Sequence, residues 1–73
     1  MTGIDTVATG KNIANIFRQN GMTKTKAATA IGVTPTAVVK WCKGASMPTI
    51  DNFVVMAGMF GVRIDDIIKV AQY

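Results

Sequence analysis

Glycine cuts this sequence at short intervals: Asn20-Gly21, Gly32, Lys43-Gly44 and Gly61 each follow an apolar segment only a few helical turns long. A chain divided in this way folds as several short helices joined by tight turns. No stretch alternates apolar and polar residues over strand length, so no β-strand is expected. The longest apolar run, Phe53 to Val62, holds ten residues, half of the roughly 20 that a bilayer span requires. It is a core helix, and no membrane partner is expected.

With 49% apolar and 16% charged residues in 73, the chain must fold compactly, as a single domain over 1–73 with its core at about 7–70. Domains this small bury only about 60% of their unfolded surface, so they lean on disulfides, metals or a partner subunit. Cys42 is the one cysteine and histidine is absent, which removes the intrachain disulfide and any zinc set. No cofactor or metal is expected, and dimerisation is the remaining aid.

Ile13, Ile16 and Phe17 give the first helix an apolar face over about Val7 to Gln19. Thr23 caps a short second helix carrying Ala27, Ala28 and Ile31, which Gly32 stops. Thr34-Pro35 opens a third at once, because proline at the first helical position lacks only an amide that had no partner. That helix turns Val38, Trp41 and Cys42 inward and ends at Lys43-Gly44. Thr49 caps a fourth, with Ile50, Phe53, Val54, Ala57 and Phe60 as its core stripe, and Ile64, Ile67 and Ile68 mark a fifth. The fold class is all-α, with five helices.

Eight Lys and Arg against four Asp and Glu leave a net charge of +4. Lys11, Arg18, Lys24, Lys26, Lys40 and Lys43 all lie between Asp5 and Asp51, an interval with no acidic residue. A cationic centre calls for a polyanionic partner, nucleic acid first. Two short helices joined by a tight turn, here about 23–43, describe a helix-turn-helix, whose second helix enters the DNA major groove.

The pattern Gly21-Met22-Thr23-Lys24, Ala27-Ala28, Ile31-Gly32-Val33-Thr34, Val38, Lys40-Trp41, Lys43-Gly44, Pro48-Thr49-Ile50, Phe53, Met56-Ala57, Phe60-Gly61-Val62, Asp65 and Ile67-Ile68 resembles the Cro/C1-type (XRE-like) helix-turn-helix family of phage-like repressors. The resemblance covers about residues 10 to 70. It implies a compact five-helix, lambda-repressor-like domain that binds double-stranded DNA. It also implies that Lys24, at the start of the second helix, fixes the DNA backbone.

Thr36, Lys40 and Lys43 stand at i, i+4 and i+7 on one face of the third helix. Lys40 can donate to guanine O6 and N7, and Thr36 can meet a base edge or a thymine methyl. Thr23, Lys24, Thr34 and the third helix's N-terminus suit phosphate. Relatives often carry Gln, Asn or Arg where this chain has Pro35, Thr36 and Ala37, so direct readout is thin. Thymine methyl contacts with Thr36, Ala37 and Val39, together with DNA shape, should supplement it. Many relatives pair an arginine late in the first helix with a glutamate near the end of the third. Phe17 and Cys42 stand there instead, so Phe17 is expected to pack on or near Cys42.

Val55 and Met59 fall outside the assigned stripe, one turn apart. With Arg63, Val70 and Tyr73 they form a candidate homodimer face that would set two reading helices one DNA turn, about 34 Å, apart. Arg63 stands where a Ser or Asp would cap the fifth helix, so that helix should start weakly. Gly10-Lys11 lacks the spacing of a phosphate loop. With no histidine and no paired carboxylates, an enzyme is not expected, nor is a small-molecule substrate. The residues 1–5 show no secretory pattern, and a cytoplasmic repressor of phage or mobile-element type is the expectation. The alternative is a helix-turn-helix protein-interaction or antitoxin-like module with weak or no DNA reading.

Overall fold

The computed structural model describes residues 2–72. Its order is β1 (Thr2–Ile4), α1 (Thr6–Gln19), α2 (Lys24–Ile31), α3 (Pro35–Lys43), α4 (Ile50–Phe60), α5 (Ile64–Ile67) and β2 (Val70–Gln72). Each longer helix starts on a side-chain acceptor. Asp5 Oδ1 accepts from Ala8 N–H at 3.0 Å, and the hydroxyls of Thr23, Thr34 and Thr49 accept from Lys26, Ala37 and Asn52 at 3.1, 3.2 and 3.3 Å. Such caps satisfy amides that the first helical turn leaves without acceptors, and each is worth about 1 kcal/mol. The expected weak start of α5 is mended from the other side: Arg63 N–H donates to Asp66 Oδ2 at 3.0 Å. The exposed Arg63–Asp65 ion pair at 3.5 Å adds little.

Ile13, Phe17, Ala27, Ala28, Val38, Trp41, Phe53, Met56 and Ile67 form one buried cluster that joins all five helices. The aromatic neighbour of Phe17 is Phe60, with ring centroids 5.7 Å apart and planes tilted by 55°. Cys42 packs half-buried at the edge of the same core. The packing of α1 on α3 is closest at Gly10. A Cβ there would overlap the carbonyl oxygen of Trp41 and come within 2.9 Å of that of Cys42. Gly44 ends α3 in the left-handed conformation, φ 75°, hard against the backbone of Thr6.

Two expectations are corrected. The chain is not free of strands: β1 and β2 pair antiparallel, with Thr2 opposite Gln72 and Ile4 opposite Val70. Polar groups inside the fold anchor this ribbon. Thr9, fully buried, accepts from Lys69 N–H at 2.9 Å and donates to Lys69 C=O at 3.4 Å, while Asp5 N–H donates to the same carbonyl at 2.8 Å. Asn12 Nδ2 ties α1 to α5 through the carbonyls of Asp66 and Ile67, at 3.3 and 3.1 Å. The stripe assigned to α4 was also misphased. Ile50 and Val54 are exposed, and Met56 takes their place beside Phe53. On a helix Met56 lies one turn from Phe53 and Phe60, whereas Ile50 and Val54 lie on the flank turned away.

Among the described residues no helix is long and apolar enough to cross a membrane. Gly10→Ala should lower stability by about 1–3 kcal/mol, because backbone carbonyls cannot yield to the added methyl as a side chain could. Denaturant titration at unchanged slope measures it. Thr9→Val should cost about 1–3 kcal/mol by leaving the Lys69 amide without its acceptor. Amide exchange should accelerate first in the β1–β2 ribbon.

Candidate nucleic-acid interface

The turn between α2 and α3 is built by Gly32, whose φ of 91° only glycine adopts freely. Its amide and that of Val33 both return to Ala28 C=O, at 2.9 and 3.0 Å. Ala27 and Ala28 are fully buried, and their small side chains let α2 lie close on α3. Thr34 then caps α3, and Pro35 occupies its first turn.

This arrangement fixes which way α3 is rolled. Val38 and Trp41 are buried, while Pro35, Thr36, Lys40 and Lys43 are exposed, as are Thr23, Lys24 and Thr34. Val39 is half-buried. Ala37 departs from its expected outward position: it is half-buried and packs against the core, since it stands four residues before Trp41 on the anchored side. The first turn therefore presents one hydroxyl, that of Thr36, and the Pro35 ring.

Cys42 lies within the field of Lys24, and the two influences on its thiol oppose. Burial pushes the pKa up more strongly than the Lys24 charge pulls it down, so the group is a neutral thiol near pH 7. The structure thus places it as packing material beside the helix pair.

Sequence reasoning passed over one feature here. Where α1 ends and α2 begins, a cleft of about 280 Å³ is lined by Ala14, Phe17, Arg18, Met22, Thr23 and Lys24. Arg18 Nη1 donates to Asn15 Oδ1 at 2.9 Å. The available signal was positional: Arg18 is the basic residue of the last turn of α1, six residues before Lys24. Of the residues expected at a dimer face, Val55, Met59, Arg63 and Val70 are exposed, and Tyr73 lies outside the described residues.

The comparisons agree with this geometry. A family model described as Helix-turn-helix matches residues 13–67. No curated protein matches. Among solved structures, the chain is similar to the SOS-response transcriptional repressor LexA from Eubacterium rectale, at TM-score 0.78 and 26% identity over 85% of this chain and 66% of that one. The chain thus covers just under two thirds of the length of that relative. The restriction-modification controller protein C.AhdI from Aeromonas hydrophila gives TM-score 0.78 and 16% identity over 86% of this chain and 96% of that one. The clp gene regulator ClgR from C. glutamicum gives 0.72 and 18% over 84% and 79%. At such identities the last two speak for the fold alone. With most of its length matched by the family model, and with α2, the Gly32 turn and α3 in the corresponding arrangement, the chain belongs to the XRE-type helix-turn-helix family of DNA-binding transcription regulators.

Proposed function

We propose that this chain is a sequence-specific repressor of phage or mobile-element type that acts as a homodimer by occupying a promoter. The observation that carries the reading is the two-sided α3, with Val38 and Trp41 buried while Thr36, Lys40 and Lys43 face solvent in a region without carboxylates. Lys40 and Thr36 are the base readers, with Val39 and, partly, Ala37 offering apolar contact to thymine methyls. Thr23, Lys24, Thr34, Pro35 and Lys43 meet the backbone and set register. With so few donors in the first turn, part of the selectivity comes from DNA shape. The likeness to a transcriptional repressor supports the direction of regulation.

The dimer reading draws on α4. Val54 is 54% exposed and Val55 and Met59 are each 41% exposed, and between them Gly58 has open space where a side chain would stand. An outward helix face so smooth and apolar suits a two-fold contact of like with like, flanked by Arg63, Val70 and Tyr73. It also favours the second reading, a protein-interaction module that binds through this face and reads DNA weakly.

Charge reversal separates the two. Lys40→Glu with Lys43→Glu should abolish duplex binding in the DNA reader and leave an interaction module's partner affinity untouched; electrophoretic shift at stated salt measures the first. Thr36→Val, assayed against single-base operator variants, should relax discrimination at one position by about 1 kcal/mol or more. Unchanged discrimination everywhere would remove Thr36 from the readers. Sedimentation at micromolar concentration should give a dimer that Val55→Asp with Met59→Asp converts to monomer. A wild-type monomer both with and without DNA would overturn the dimer.

A further inference from the structure

We infer that the paired chain ends hold the reading helix in place, an inference that rests on the DNA-binding reading. Thr9 is the positioning residue that couples the β1–β2 ribbon to the last turn of α3. The coupling runs through the start of α1, from its cap Asp5 to Gly10. On one side this stretch carries the ribbon: the buried Thr9 hydroxyl accepts from Lys69 N–H at 2.9 Å, and Asp5 N–H donates to Lys69 C=O at 2.8 Å. On the other side it carries α3 by backbone contact, with Gly10 against the carbonyls of Trp41 and Cys42, and Thr6 and Val7 against Gly44. Hydrogen bonds join the two sides, since Thr9 N–H donates to Asp5 C=O at 2.9 Å and Asp5 Oδ1 accepts from Ala8 N–H.

Helix starts fray unless groups outside the helix hold them. Here Lys69 does so. Without the Thr9 hydroxyl the Lys69 amide loses its acceptor, the ribbon opens, and the first turns of α1 lose their outside support. The end of α3 follows, because the Trp41 carbonyl that lies against Gly10 also accepts from Gly44 N–H at 3.0 Å. Lys40 and Lys43 are the basic residues of that last turn. The start of α3 has separate support in the Gly32 and Val33 amides on Ala28 C=O. A displaced last turn costs Lys40 its base contact, which demands a fixed angle, while Lys43 still finds a phosphate. Preference for the operator therefore falls before general duplex affinity does.

The test compares, for the full chain, affinity for the best duplex that wild type selects from a random pool with affinity for random duplex. Wild type, Thr9→Val, Thr9→Ser and Phe60→Leu are measured at one stated salt concentration. Thr9→Val keeps the shape and removes the hydroxyl, so its selected-over-random ratio should fall roughly 3- to 10-fold. Thr9→Ser keeps a hydroxyl and should recover the ratio. Phe60→Leu thins the core beside Phe17, about two turns further along α1, and should lower stability while leaving the ratio at the wild-type value. Unfolding by itself weakens both duplexes alike and does not move the ratio. Amide exchange gives the second arm. Thr9→Val should speed exchange at Gly44 and Ala45 more than Phe60→Leu does, and, because coupling is reciprocal, the selected duplex should slow exchange of the wild-type Lys69 amide. A ratio that Thr9→Val leaves unchanged or that Phe60→Leu lowers equally, or Gly44 exchange that Thr9→Val leaves unmoved, would overturn the coupling and leave DNA binding standing. Absence of duplex binding, or of any preference among duplexes, in wild type would overturn the parent reading and this one together.

Discussion

Everything this fold presents to its surroundings is oriented by the backbone contact between α1 and α3 at Gly10. No side chain intervenes there, so the carbonyls of Trp41 and Cys42 rest directly on the helix that carries Ile13 and Phe17. A second backbone contact, Gly44 on Thr6, follows two residues on, where α3 ends. A helix held at two points by main chain has little freedom to roll, because no rotamer change can relieve the resulting overlap. The outward direction of Thr36, Lys40 and Lys43 follows from that restraint as much as from their spacing in the sequence. Trp41 completes it by burying its side chain in the core that all five helices share.

Much of this was legible in the residues. The threonines at 23, 34 and 49 stand at helix starts, and Gly32, Gly44 and Gly61 at helix ends, because each acts through its immediate neighbours along the chain. Those are local effects, and a linear reading captures them. The β1–β2 ribbon was not legible for the opposite reason. Each strand is three residues long, too short to show alternation, and the partner lies at the far end of the sequence. Thr9 and Asn12, which secure that closure, read as ordinary polar positions on an amphipathic helix. Their role exists only once Lys69, Asp66 and Ile67 are brought alongside.

The α4 stripe failed differently. Its segment is apolar nearly all the way round, so periodicity offers several equivalent phases. Tertiary packing chose the phase carrying Phe53 and Met56, which left Val54, Val55 and Met59 outside. The site reading has a parallel limit. The exposed set on α3 could be counted from the sequence, but the cleft joining Arg18 to Lys24 arises from the angle between α1 and α2. Spacing along a chain does not encode such an angle. Ala37 shows the same dependence on a smaller scale, since the proximity of the core turned a nominally outward methyl half inward.

The choice of threonine to start both α2 and α3 has a consequence for what those helix ends can approach. An aspartate would accept the same amide hydrogen as well as a hydroxyl does, but it would set a negative charge at the tip. The hydroxyls of Thr23 and Thr34 perform the local task without that charge, and the first turns of both helices are free of acidic residues. The partial positive charge of each helix start therefore stays unmasked toward solvent. Because a hydroxyl does not titrate, it also persists unaltered through mild acidification, when a carboxylate cap would weaken.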